Sequence, residues 1–181
     1  MITQRFRFSR LMLMFFCLLL PGLVQAATYT FGQGWFSAHN PPPCQSGSWS
    51  NSGSTYTCSG RVVLGAGDVV IVSTAFLEPL DSIAIVATGG FTLVGNTIGT
   101  AAKNISLRTD YSTITATGTN TINGSVTSGS GAISLAGTTL NGSLQSNSGS
   151  NTLNGTSVSG TLGSSGQNNL ANSSIAGATN N

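Results

Sequence analysis

Charge is what this sequence has least of. Of 181 residues, six are Lys or Arg, four are Asp or Glu and one is His. Three of the six basic residues, Arg5, Arg7 and Arg10, fall in the first 26 positions, which leaves Arg61, Lys103 and Arg108 against Asp68, Glu78, Asp81 and Asp110 in the remainder. So sparse and scattered a basic set excludes a nucleic-acid binder, which needs clustered Lys and Arg to replace counterions on phosphates. Carboxylates are just as scarce. A glycosidase needs two of them a few ångströms apart, and calcium-binding nonapeptide repeats need an Asp in each repeat; no acidic residue follows Asp110. With His39 the only histidine, serine-dependent catalysis has one possible base, and its neighbours Asn40 and Pro41-Pro42-Pro43 make it a loop residue. Glu78 and Asp81 flank Pro79-Leu80 and read as a solvated turn. Gly65-Ala66-Gly67 and Gly89-Gly90 are not followed by Gly-Lys-Ser/Thr, so they are turns and not phosphate loops. The reading is therefore non-enzymatic, with no catalytic residue, no metal and no cofactor.

The apolar content is concentrated at the start. Positions 1–26 hold all three methionines and four of the eight phenylalanines. The three arginines precede an apolar run from Leu11 to Leu20, Pro21-Gly22 breaks it, and Val24-Gln25-Ala26 places small residues where a signal peptidase reads them. A run of this length is too short for a membrane helix of about 20 residues, and the bulky Met14-Phe15-Phe16 before Cys17 does not suit lipidation. We read residues 1–26 as a Sec-type signal peptide and expect a periplasmic, cell-surface or extracellular protein with no membrane span after cleavage. Cys44 and Cys58 are the cysteines that remain, and an even pair in an oxidising compartment predicts a disulfide. In the chain-entropy picture so short a loop gives about 3 kcal/mol.

Three regions follow the leader. Residues 27–60 hold Trp35, Trp49, Phe31, Phe36, Tyr29, Tyr56 and the cysteine pair, and read as a disulfide-stapled aromatic cap. From residue 61 to 111 come short β-branched segments, among them Val69-Val70-Ile71-Val72 and Ile83-Ala84-Ile85-Val86, each bounded by Gly, Asp, Asn or Pro, as strands between turns are. Residues 112–181 contain no charged and no aromatic side chain. That composition is also the composition of a disordered tail, and a β-sandwich is a third arrangement. Against disorder stands a repeat of aliphatic-Asn-Gly-Ser/Thr, with Asn123-Gly124, Asn141-Gly142 and Asn154-Gly155, and then Asn172, at intervals of 18, 13 and 18 residues. Periods near 20 signal a solenoid. The expected fold for residues 61–181 is all-β, a short right-handed parallel β-solenoid whose corners are these Asn and Gly residues. The intervals suggest a 31-residue superperiod of two unequal turns.

Tyr29-Thr30-Phe31, the loop around Cys44, Gly53-Ser54-Thr55-Tyr56-Thr57-Cys58 and Leu64-Gly65-Ala66-Gly67-Asp68-Val69-Val70-Ile71, followed by Gly/Ser/Thr repeats, resemble the amino-terminal region of MshQ-like proteins. These are associated with mannose-sensitive haemagglutinin type IV pili of Gram-negative bacteria. The resemblance implies a pilus-linked or adhesive setting, with other pilus or envelope proteins or surface glycans as partners. The lectin-like carboxy-terminal part of the larger proteins has no counterpart here, so its sugar binding does not carry over. The last region is also similar to bactofilins, β-helices that polymerise end to end, although a signal peptide and a disulfide separate this chain from those cytoplasmic proteins.

The expected function is that of an exported structural or surface-interaction protein. One alternative is a carbohydrate-binding module using Trp35, Phe36, Trp49 and Tyr56 as exposed aromatics, the other role for these rings being to cover the first turn. Another is a filament subunit that associates with itself end to end through an uncapped far end.

Overall fold

A computed structural model describes residues 25–32, 40–73 and 82–180. The leader up to residue 24, Trp35, Phe36, His39, Glu78 and Asp81 lie outside the described residues.

The chain is an all-β parallel β-solenoid. Strands are short because a glycine, asparagine or serine turn interrupts every apolar-polar alternation, and each turn of the chain lays down one strand on each of three sheets. Sheet I stacks Thr28–Phe31, Val69–Val72, Thr97–Ile98, Asn120–Asn123, Thr138–Asn141, Ser157–Val158 and Ser174–Ile175. Sheet II stacks Cys44–Gln45, Arg61–Leu64, Phe91–Val94, Ile114–Thr117, Ile133–Ala136, Asn151–Asn154 and Asn168–Ala171. Sheet III stacks Trp49–Ser52, Thr55–Cys58, Ser82–Ala87, Asn104–Thr109, Val126–Ser128, Leu144–Ser146, Leu162–Ser164 and Thr179–Asn180. Above residue 61 every pairing is parallel, and the chain passes from sheet II to I to III and back. Val62, Phe91, Ile114, Ile133, Asn151 and Asn168 stand in one column, which makes five turns with residue-number differences of 29, 23, 19, 18 and 17.

Inward positions build the core as columns. Val70, Ile98, Ile122, Leu140 and Val158 line sheet I, Leu64, Leu93, Ala116, Leu135 and Leu153 line sheet II, and Ile85, Leu107, Val126, Leu144 and Leu162 line sheet III, all of them buried. Each rung exposes its inner face until the next covers it, so stability accumulates by stacking. The Ser/Thr/Gly/Asn-rich half buries fewer aliphatics than the first turn does, but Ile114, Ala116, Ile122 and Val126, then Ile133, Leu135, Leu140 and Leu144, then Leu153, Val158 and Leu162 continue the same core columns through it.

The Asn-Gly repeat occupies two different corners, which corrects the superperiod. Asn123-Gly124 and Asn141-Gly142 stack at the corner between sheets I and III, where Asn141 Nδ2 donates to Asn123 Oδ1 at 2.8 Å. Asn154-Gly155 ends a strand of sheet II, and Asn172 lies one turn above Gly155 at the corner between sheets II and I. The 13-residue interval is thus a change of corner, and the turns through the repeat are nearly equal, at 19, 18 and 17 residues. At this second corner Gly95, Gly118, Gly137, Gly155 and Asn172 all take positive φ, between 50° and 74°. Glycine reaches this left-handed region without strain and Asn is the side chain that tolerates it best.

Polar side chains inside the corners pair with the backbone that the corners free. Asn96, Asn120, Thr138 and Thr156 form a buried column at the corner between sheets II and I. Asn120 Oδ1 accepts from Asn96 N at 2.9 Å while its Nδ2 donates to Thr117 O at 2.9 Å. Thr109, Ser128, Ser146 and Ser164 do the same at the corner between sheets III and II, Ser146 Oγ donating to Gly131 O at 3.0 Å and accepting from Gly149 N at 3.0 Å. Buried polar groups are tolerated when they are bonded in this way.

Candidate functional site

The base of the rod is closed by the residues before 61. Thr28–Phe31 lies parallel under Val69–Val72, whereas Cys44–Gln45 runs antiparallel to Arg61–Leu64 and Trp49–Ser52 antiparallel to Thr55–Cys58. Antiparallel segments at the bottom of two sheets blunt edges that would otherwise template another chain. The Cys44–Cys58 disulfide, with Cα atoms 5.7 Å apart, ties the lowest strand of sheet II to the second strand of sheet III.

Two of the four candidate aromatics belong to this closure. Phe31 is the floor of the core, with the Trp49 ring edge-on at a centroid distance of 5.4 Å and the Tyr56 ring tilted against it at 4.7 Å. Trp49 Nε1 donates to Pro42 O at 2.8 Å and Tyr56 OH donates to Gly32 O. Their polar ends are therefore engaged within the cap; Tyr56 is buried and offers no ring face to a sugar, while Trp49 is half-buried. Trp35 and Phe36 lie outside the described residues. An aromatic that sequence reasoning passed over is Tyr111, 84% exposed at the corner between sheets III and II, next to the Arg108–Asp110 ion pair of 2.8 Å. Nothing in the sequence distinguishes it from a core tyrosine except its place in Thr109-Asp110-Tyr111-Ser112, between two strands.

The sides of the rod are the second surface feature. On sheet I, Thr97, Thr121, Thr139, Ser157 and Ser174 align outward, one per turn. On sheet II, Thr92, Thr115, Ser134, Thr152 and Asn169 do the same. Neighbouring members stand about 4.8 Å apart, the spacing of strands in a sheet, and Ser174 Oγ bonds Ser157 Oγ at 3.3 Å. Each face is a regular ladder of short hydroxyl or amide groups, with the Arg61 guanidinium donating to Thr92 Oγ1 at 3.1 Å at the foot of the sheet II ladder.

Among the described residues no three His, Cys, Asp or Glu side chains gather into a metal-binding group, and no helix is long and apolar enough to cross a membrane. The two described carboxylates serve separate structural ends. Asp110 pairs with Arg108, and Asp68 is buried beneath the first strand, where it accepts from Ala27 N and Gly65 N, each at 2.8 Å.

Both cap tyrosines hold their protons more tightly than usual. Burial raises Tyr29, and the charge of Asp68 and a hydrogen bond to that carboxylate raise it further; burial raises Tyr56. Because the folded pKa values lie above the unfolded value of about 10, the unfolded chain releases these protons first as the pH rises. Their contribution is present in full below pH about 10 and is lost as pH climbs through the folded values. Thermal midpoints between pH 8 and 11 should fall more steeply for the natural chain than for Tyr29→Phe/Tyr56→Phe; parallel curves would remove the tyrosines from the account.

Comparison with protein-family models, with curated proteins and with solved structures gives no match for this chain.

Proposed function

We propose that the chain is an exported, non-enzymatic structural or surface-interaction protein, working in a pilus-linked or adhesive setting at the cell envelope, as its resemblance to MshQ-like proteins implies. The observation that supports this reading best is the pair of hydroxyl and amide ladders on the side faces. A stack of nearly equal turns repeats the same short polar group at the same height step, which suits contact with an extended, repetitive partner such as a glycan chain or another β-rich envelope protein. Multiple weak contacts along one line add through effective concentration. Outward Ser, Thr and Asn leave water at little cost when a partner replaces their hydrogen bonds.

The test is to place charge on the ladder of sheet I with Thr139→Lys/Ser157→Lys, both outward and exposed, and on sheet II with Ser134→Lys/Thr152→Lys. With unfolding midpoints unchanged, at least one pair should release the exported chain from washed cells several-fold. Retention identical to that of the natural chain for both pairs would exclude the side faces as the contact surface. A second reading, end-to-end self-association, is favoured by Leu170, 45% exposed on the last described turn; particle mass that grows with concentration in the natural chain and not in Leu170→Lys would support it instead.

A further inference from the structure

The amino-terminal edge of the described chain carries a buried negative charge with only neutral donors around it. Asp68 is 6% exposed. Its Oδ1 accepts from Ala27 N and its Oδ2 from Gly65 N, and the Tyr29 hydroxyl lies against it from the same strand as Ala27. Among the described residues the only ion pair is Arg108–Asp110, and the nearest cationic residue in sequence, Arg61, is directed to Thr92 Oγ1 at 3.1 Å. A carboxylate taken out of water without a cation is expensive, and a positive partner in hydrogen-bond contact offsets much of that cost.

The missing cation lies one bond away. Ala27 is half-buried and its carbonyl accepts from Val69 N at 2.9 Å, which starts the pairing of the first strand, whereas Gln25 and Ala26 before it are exposed. The boundary between covered and uncovered chain thus falls at the Ala26–Ala27 peptide, where the small-residue signal Val24-Gln25-Ala26 ends. We propose that hydrolysis of this bond during export converts the Ala27 amide into an α-ammonium group that ion-pairs with Asp68, so that removal of the leader fastens the first strand to the solenoid. The inference rests on the export reading above, which places the cut after Ala26, and adds the partner of the new terminus. Water adds to the Ala26 carbonyl carbon under a membrane-bound signal peptidase, the C–N bond breaks, Ala26 leaves as a carboxylate with the leader, and the released amine is protonated. The nitrogen already sits 2.8 Å from Oδ1, so the neutral donor becomes a charged one in place, and charge-assisted bonds of this kind are about twice as strong. An uncleaved chain, or one cut a residue earlier, leaves Asp68 buried with neutral donors alone.

The full 181-residue chain is expressed in a bacterium that exports it, labelled with 15N-alanine, and the exported protein is weighed by mass spectrometry. A chain beginning at Ala27 is expected. Its α-amino group should titrate about one unit or more above the ordinary ~7.7–8.0, because the carboxylate favours the ammonium form; in Asp68→Asn it should return to that value. Acetylating the α-amino group should lower the unfolding midpoint of the natural protein and leave that of Asp68→Asn unchanged. If Asp68→Asn does not fold, titration and acetylation of the natural protein decide alone. An exported chain starting at another residue, or one that keeps its leader, overturns the processing reading and the ion pair with it. A chain that starts at Ala27 with an ordinary amino titration and no effect of acetylation overturns the ion pair and leaves export standing.

Discussion

Gly142→Ala should disrupt the rod, while Gly155→Asn should cost it less. A Cβ at Gly142 would stand 2.6 Å from the carbonyl carbon of Gly124 in the turn below and overlap its oxygen. The obstacle is backbone, fixed by the ladders on either side, so the clash is relieved only by separating two rungs. Overpacking of this kind costs roughly 1–3 kcal/mol or more, and Gly142→Ala should sit at or beyond the upper end. Gly155 presents the opposite case: its φ is +58° and nothing lies within 4 Å of where a Cβ would stand. An L-residue there meets only the left-handed penalty of about 1–2 kcal/mol, and Asn172 shows that asparagine takes the equivalent position one turn on. Thermal unfolding of the two variants should separate them by several degrees; equal midpoints would mean that the corners do not stack as described.

Leu135→Ala and Ser134→Ala make the second contrast. Leu135 stands in the core column between Ala116 and Leu153 and is 1% exposed, while Ser134, its neighbour, faces outward. Truncating a buried leucine costs about 2–5 kcal/mol. A surface substitution stays within about 0.5 kcal/mol. Because the side-chain period of a strand is two, a one-residue slip in register would reverse this order. In a disordered tail neither change would have an effect. Denaturant midpoints of the two variants thus test strand existence and register together.

Much of the architecture was legible because its causes are local. Apolar-polar alternation such as Ile133-Ser134-Leu135, closed by turn residues every few positions, fixes short strands whatever the neighbours are. The cysteine pair was legible because Cys44 and Cys58 are the two cysteines outside the first 26 residues, so each has one partner. What escaped reading depends on stacking. Asn-Gly suits any tight corner, so the motif does not reveal that Asn141 and Asn154 stand at different ones; the informative signal was the glycine series 95, 118, 137 and 155, in which the wider first interval hides the period. The first two turns are longer, at 29 and 23 residues, because more residues separate Val72 from Ser82 and Ile98 from Asn104 than separate the matching strands above. Trp49 and Tyr56 were legible as cap or binding aromatics, and only the contact with Phe31 and the hydrogen bonds to Pro42 and Gly32 show that they pack within the cap. Asp68 reads as an ordinary turn residue in Gly67-Asp68-Val69, since its partner Ala27 is 41 residues away.

The central claim is that the uncharged, low-complexity half of this protein is an ordered stack. Residue-resolved amide hydrogen exchange on the oxidised chain at low concentration tests it most directly. The stack requires slow exchange at the inter-turn donors Ile133, Leu144, Asn151 and Leu162, whose N–H groups bond Ser150, Thr161, Gln167 and Ala178 carbonyls at 2.9–3.0 Å, recurring once per strand along residues 112–175. Exchange at the rate of an unfolded peptide throughout that stretch, with protection confined to the disulfide-stapled residues and the first turns, would contradict it.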